Sequence, residues 1–171
     1  SSMFQTIDDF ANTWAQESEG MLKVLRNVTD ESLAQPVVPG GRTLGFLAWH
    51  ITCTLGEMGG GQAGLAVIGP TEKTHPAAPS KAADIAIAYE AAAASLLAAV
   101  RAQWTDAQTG DLIPMYGEQW PKGVVLSALV AHQTHHRGQM TVLMRQAGVP
   151  VPGMYGPSKE EWAAMGMPPM P

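Results

Sequence analysis

Apolar residues recur at helical spacing through four long stretches of this chain, and segments rich in proline and glycine separate them. Phe4, Ile7, Phe10 (or Ala11), Trp14, Met21, Leu22 and Leu25 form the first stripe, which predicts a helix over 3–28 with these side chains in the core. Thr29, Asp30, Glu31 and Ser32 offer caps for a short turn, and Pro36, Pro39, Gly40 and Gly41 then stop any helix. A second helix is expected over 43–67, with Thr43 as its N-cap and Leu44, Leu47, Ile51, Leu55 and Met58 on its stripe. Gly59, Gly60 and Gly61 fall inside it and weaken it by ~1 kcal/mol each relative to alanine, so a kink or an end is expected there.

Residues 69–80 read as a loop, with His75 as a solvated loop histidine, and Ser80 is the expected cap of a third helix over 80–103. That helix is nearly polyalanine, with Ile85, Tyr89, Leu96, Leu97 and Val100 as its larger residues. Residues 105–121 read as an irregular link whose Met115, Tyr116 and Trp120 fold back over the bundle as a pocket wall; a hairpin is the weaker alternative. The fourth helix is expected over 122–147, ended by Gly148 and then Pro150. The tail over 149–171 contains six prolines, and Ser158 with Glu161 makes a capping box for one short helix carrying Trp162. The resulting fold class is all-α: a four-helix bundle with a Pro-rich C-terminal tail, one domain over 3–171. Ser1 and Ser2, ahead of Met3, read as an expression scar.

Composition narrows the classes of function. The chain has 171 residues, 46% hydrophobic and 15% charged, enough apolar material for a packed core. The formal net charge of −5 and the lack of a basic cluster disfavour nucleic acid and anionic membrane as partners. No uninterrupted apolar run reaches the ~18 residues of a membrane span, and no signal peptide is visible. A single cysteine fits a reducing, cytoplasmic setting.

The candidate chemistry lies in Ala131-His132-Gln133-Thr134-His135-His136-Arg137-Gly138-Gln139, which holds three of the five histidines. His132 and His136 are an i, i+4 pair, with Cβ atoms about 6 Å apart on one helix face. His135 points about 100° away. His50 is the one histidine on another predicted helix, on or beside its apolar stripe. A site of His50, His132 and His136 supplies three ligands and an open position, the catalytic pattern for zinc. Core or solvated histidines are the competing reading of the same spacing. Cys53 is either a small core hydrophobe or a fourth ligand that closes the site. Glu57 is either a solvated carboxylate or a partner holding His50, and it is a weak candidate for a general base. Arg137 and Gln139 could orient the site, bind an anionic substrate or only cap the helix, and Trp49 could line a pocket.

Two segments, Thr43-Leu44-Gly45-Phe46-Leu47-Ala48-Trp49-His50 and His132-Gln133-Thr134-His135-His136-Arg137-Gly138-Gln139-Met140, resemble the signatures of the DinB-like (YfiT-like) superfamily. The continuation from Met144 to Pro157 is similar as well. The resemblance implies a four-helix bundle with His50, His132 and His136 around a divalent metal, zinc or nickel, open to water, and a homodimer. That superfamily includes bacillithiol transferases and mycothiol-dependent isomerases and transferases, in which a metal activates a thiol cofactor. A metal-dependent transferase acting on a small-molecule substrate with a low-molecular-weight thiol is therefore expected. A metal-dependent hydrolase and a non-catalytic metal- or ligand-binding bundle are the alternatives.

Overall fold

A computed structural model describes residues 3–170; the Ser1-Ser2 lead lies outside the described residues. Four long helices form the body: α1 (Ile7–Asn27), α2 (Leu44–Thr54), α3 (Ala82–Gln103) and α4 (Lys122–Gln146). The short α5 (Lys159–Ala164) lies in the tail, behind the Ser158–Glu161 capping box. α1 packs on α3 and α2 on α4, and buried apolar residues from all four join one core cluster. Phe10, Trp14, Met21, Leu44, Leu47, Ile51, Tyr89, Leu96 and Leu126 are among its largest fully buried side chains. α3 is long and apolar enough, by length and composition, to cross a membrane, although no uninterrupted apolar run predicts it. It buries Ile85, Tyr89, Leu96 and Val100 in that core.

Side-chain oxygens start two helices as local chemistry dictates: Thr6 Oγ1 accepts from Asp9 N–H, and Thr43 Oγ1 from Phe46 N–H. The expected Ser80 cap is absent. α3 begins at Ala82, and Asp30 Oδ1 reaches across the fold to accept from Ala82 N–H at 2.8 Å. Gly148, at φ +75°, ends α4 in the left-handed conformation expected after a helix.

Two departures from the expected layout, and one ordered turn, bear on the site. First, α2 does not run to residue 67. It gives way at Leu55 to a π-helical segment, Leu55–Gln62, a widened turn that recurs at functional sites. Its glycines permit close approaches. A Cβ on Gly56 would come within 2.9 Å of Pro70 O, and one on Gly59 within 2.9 Å of Leu96 Cδ1. Second, 105–121 contains an antiparallel hairpin, β1 (Leu112–Met115) and β2 (Glu118–Pro121). Tyr116 and Gly117, both at positive φ, form its two-residue turn, so the weaker alternative is the one realised. Third, the segment before α2 is ordered. Val37 N–H donates to Arg42 O, Gly41 N–H to Val38 O, and Leu44 N–H to Gln35 O. Pro39 followed by Gly40 at φ +76° gives the turn its tip.

Candidate metal centre

The pairing of α2 with α4 lays His50 against His132 and His136. One ligand nitrogen from each of the three rings lies within 4.8 Å of the other two. The Nε2 atoms of His50 and His132 are 3.2 Å apart. Two nitrogens on one tetrahedral zinc, each ~2.0–2.1 Å from it, stand about 3.3 Å apart, so this pair already has the spacing of shared ligands.

Hydrogen bonds fix which nitrogen faces inward. Glu72 Oε1 lies 2.8 Å from His50 Nδ1 and accepts its proton. Gln139 Oε1 accepts from His136 Nδ1 at 2.7 Å. Both bonds hold the proton on Nδ1 and leave the Nε2 lone pair toward the cluster, the arrangement that metal-binding imidazoles need. The residues present therefore fit a divalent ion.

Glu72 comes from the 69–80 loop, where no periodicity marks it. Its position depends on the π-helical segment. The missing Cβ of Gly56 lets the loop cross closely, and Glu57 Oε1 then accepts from Glu72 N–H at 2.6 Å. Trp49 Nε1 donates to His75 O at 2.8 Å and pins the far end of the loop. Glu57 thus acts one step removed: it holds the loop that carries the carboxylate on His50. The His75 ring is exposed and outside the cluster. Phe46, also unmarked in the sequence pattern, stacks on His50 with ring centroids 5.8 Å apart, and Arg42 lies 4.8 Å above the Phe46 ring.

Several expected participants lie elsewhere. Cys53 is fully buried and is not among the converging atoms. Burial, and then the charges of Glu57 and Glu72, push its thiol up to about 12, which keeps it protonated. Arg137 is a correction as well. One position along α4 from His136 is about 100° around the helix. That turns Arg137 to the α1 side, where it is 3% exposed and pairs with Glu17 and Tyr155. His135 is exposed, with its ring 4.9 Å from that of His136. Tyr116 and Trp120 line neither of the cavities beside the histidines.

Burial, reinforced by the charges of His136, His50 and His135, lowers His132 to about 4. His136 is lowered by burial first; its bond to Gln139 opposes the shift, while His50, His135 and Arg42 add to it. Both rings thus stay neutral below the ~6.5 of a free histidine. The unfolded chain binds protons there that the folded metal-free chain refuses, so stability falls as pH drops from about 6.5. For His132 the loss is complete near 4. Thermal melts of metal-free protein across this range should show the decline, and His132→Gln should flatten it. Parallel curves for the two proteins would show that His132 does not carry the effect.

A four-helix bundle with three histidines converging from facing helices defines a class: a helical bundle built around a candidate metal centre. The DinB family matches residues 3–169, and the chain belongs to it. The uncharacterized protein YrdA of Bacillus subtilis (strain 168) is 44% identical over 165 residues, spanning 96% of this chain and 97% of that protein. The crystal structure of a DinB-like protein from Bacillus cereus ATCC 10987 superposes with a TM-score of 0.83 at 42% identity, over 90% of this chain and all of that one. The DinB-like protein YjoA of Bacillus subtilis shares the fold at 15% identity and a TM-score of 0.63, over 83% of this chain and 95% of that one.

Proposed function

We propose that this chain is a divalent-metal-dependent transferase that acts with a low-molecular-weight thiol, its zinc or nickel ion held by His50, His132 and His136. The observation that carries this reading is the convergence of three imidazoles with no fourth protein ligand in the cluster, among the described residues. Three protein ligands and an exchangeable position is the catalytic pattern; a closed set of four is the structural one. A bound ion of this kind supplies Lewis acidity, which lowers the pKa of a coordinated thiol or water. The chain's own residues orient and shelter. Glu72 and Gln139 set the tautomers of His50 and His136, and Phe46, Trp49 and Pro76 wall a small cavity of about 190 Å³ beside His50. In the transfer, sulfur forms a bond to an electrophilic carbon, the leaving group departs with its electron pair, and the S–H proton passes to solvent.

Hydrolysis has less support. It calls for a general base, and the carboxylates nearest the cluster are occupied: Glu57 with the Glu72 backbone, Glu72 with His50. The decisive experiment measures metal content on untagged protein, then turnover of a model electrophile with a panel of bacterial thiols. Metal-dependent rates that require a thiol support the transferase. Equal rates without thiol, or none with any thiol, overturn it.

Glu72 gives a separate expectation. Glu72→Ala frees His50 to rotate and to change tautomer, so metal affinity measured by chelator competition should fall roughly 10–100-fold. Glu72→Gln, which keeps an acceptor, should lose less. An unchanged affinity in Glu72→Ala would remove Glu72 from the site.

A further inference from the structure

Beside the histidines runs a groove of about 410 Å³ between the 35–44 turn and α4. Val37, Val38, Leu47 and Val142 form its apolar walls, and Arg42 and Gln139 are among its polar lining; among the described residues no carboxylate lines it. Val37, Val38 and Val142 are 51%, 58% and 57% exposed and line the same groove, so they form one apolar patch rather than scattered residues. The turn that presents Val37, Val38 and Arg42 is locked by its own hydrogen bonds, so the wall is preorganised. Arg42 makes no ion pair among the described residues, in a chain whose net charge is −5.

Two contacts join this groove to the histidine cluster. Gln139 lines the groove and accepts from His136 Nδ1. Arg42 lines it and lies over Phe46, whose ring stacks on His50. An unpaired guanidinium therefore stands at the histidine end of an apolar trough, where a planar anion can be met by two parallel N–H donors.

We propose that this groove is the substrate subsite, and that it selects a small organic anion: its carboxylate against Arg42, its apolar body along Val37, Val38, Leu47 and Val142. The substrate class named here rests on the transferase reading, but the subsite does not require a metal.

The test uses octanoate as probe and 1-octanol as its neutral counterpart, titrated calorimetrically into the whole metal-free protein and into protein loaded with zinc. Octanoate should bind both forms with similar affinity. Arg42→Gln should weaken octanoate about tenfold, the low end for a charge-assisted contact, and leave octanol unchanged. Val142→Glu, which places a carboxylate in the trough, should weaken both probes. Melting temperatures of the variants are measured alongside, and both positions are exposed, so folding should be preserved. Equal octanoate affinity in wild type and Arg42→Gln overturns the proposal. So does binding that appears only with zinc and vanishes in His50→Ala, which would make octanoate a ligand of the ion and leave the metal reading intact. A dimer that Val142→Glu converts to monomer, with no octanoate bound by either, also overturns it by making the groove an interface. Octanoate binding to metal-free protein with no metal-dependent turnover would retain the subsite and sink the transferase.

Discussion

His132→Ala should empty the metal centre while leaving the bundle folded. Zinc held by a full ligand set contributes on the order of 10–16 kcal/mol, so one ligand of four accounts for roughly 3 kcal/mol, a more than hundredfold loss of affinity. His50→Ala should do the same from the other helix, because neither α2 nor α4 offers a replacement donor within the cluster. Metal content by mass spectrometry should fall from about one ion per chain to background, and on the proposed transferase function thiol-dependent turnover should fall with it. The fold has little stake in these rings: His50 and His132 are only half-buried and lie at the edge of the apolar core. Far-ultraviolet circular dichroism should therefore be unchanged. His135→Ala is the matched control, since that ring is exposed and outside the cluster, and it should retain metal. Retention of a full metal complement by His132→Ala would dismiss the three-histidine centre.

Arg137→Ala should show the reverse pattern, with the fold weakened and the metal kept. The Arg137 guanidinium lies 2.9 Å from Glu17 Oε2, with side chains only 3% and 13% exposed. Arg137 also donates to Glu17 O and to the Tyr155 hydroxyl, and that hydroxyl donates in turn to the Glu17 carboxylate. Beside them, Gln133 accepts from the Tyr89 hydroxyl and donates to Glu17 O. Removing the cation leaves a mostly buried carboxylate without its partner, which costs about 3–5 kcal/mol. Against a total stability of about 5–15 kcal/mol, chemical denaturation should detect this easily. The segment carrying Tyr155 should also become more sensitive to protease. The double variant Glu17→Gln/Arg137→Met should recover much of the loss, because no unpaired charge remains. A midpoint within experimental error of wild type in Arg137→Ala would mean that the network contributes no net stability.

These two variants separate two stripes of α4 that the sequence presents as one motif. His132, His136 and Gln139 face α2, while Gln133 and Arg137 face α1. A period of 3.6 residues tells neighbours apart by angle, but it does not say which neighbouring helix each angle meets. Spacing alone therefore leaves Arg137, beside a histidine pair, open to a role in the site or only at the helix surface, whereas the fold uses it to tie α4 to α1 and the tail. Cys53 shows the same ambiguity one turn from His50. Its spacing allowed ligation, and its burial, which raises the thiol pKa, assigns it to the core.

Local chemistry was enough for much else. The threonine cap of α2, the glycine that ends α4 and the capping box of α5 are short-range signals, and each appears where it is expected; the four apolar stripes are realised as well, although α1 starts at Ile7 rather than residue 3 and α2 stops at Thr54 rather than running to 67. The i, i+4 pair on α4 and the lone histidine on α2 could be picked out for a like reason, since helix geometry turns spacing directly into facing.

What needed the tertiary structure was every contact between segments distant in the chain. Asp30 caps α3 from 52 positions away, and Glu72 reaches His50 from 22. No periodicity encodes such a partner, because its position depends on how closely two backbones approach. At Gly56 the absence of a Cβ sets that approach, and through it the loop, the carboxylate and the tautomer of His50. The sequence by itself determined the helices and the donor atoms they carry. Only packing decided which donors share one small volume and which charges are buried in pairs, because those depend on distances between elements that local conformational preference does not specify.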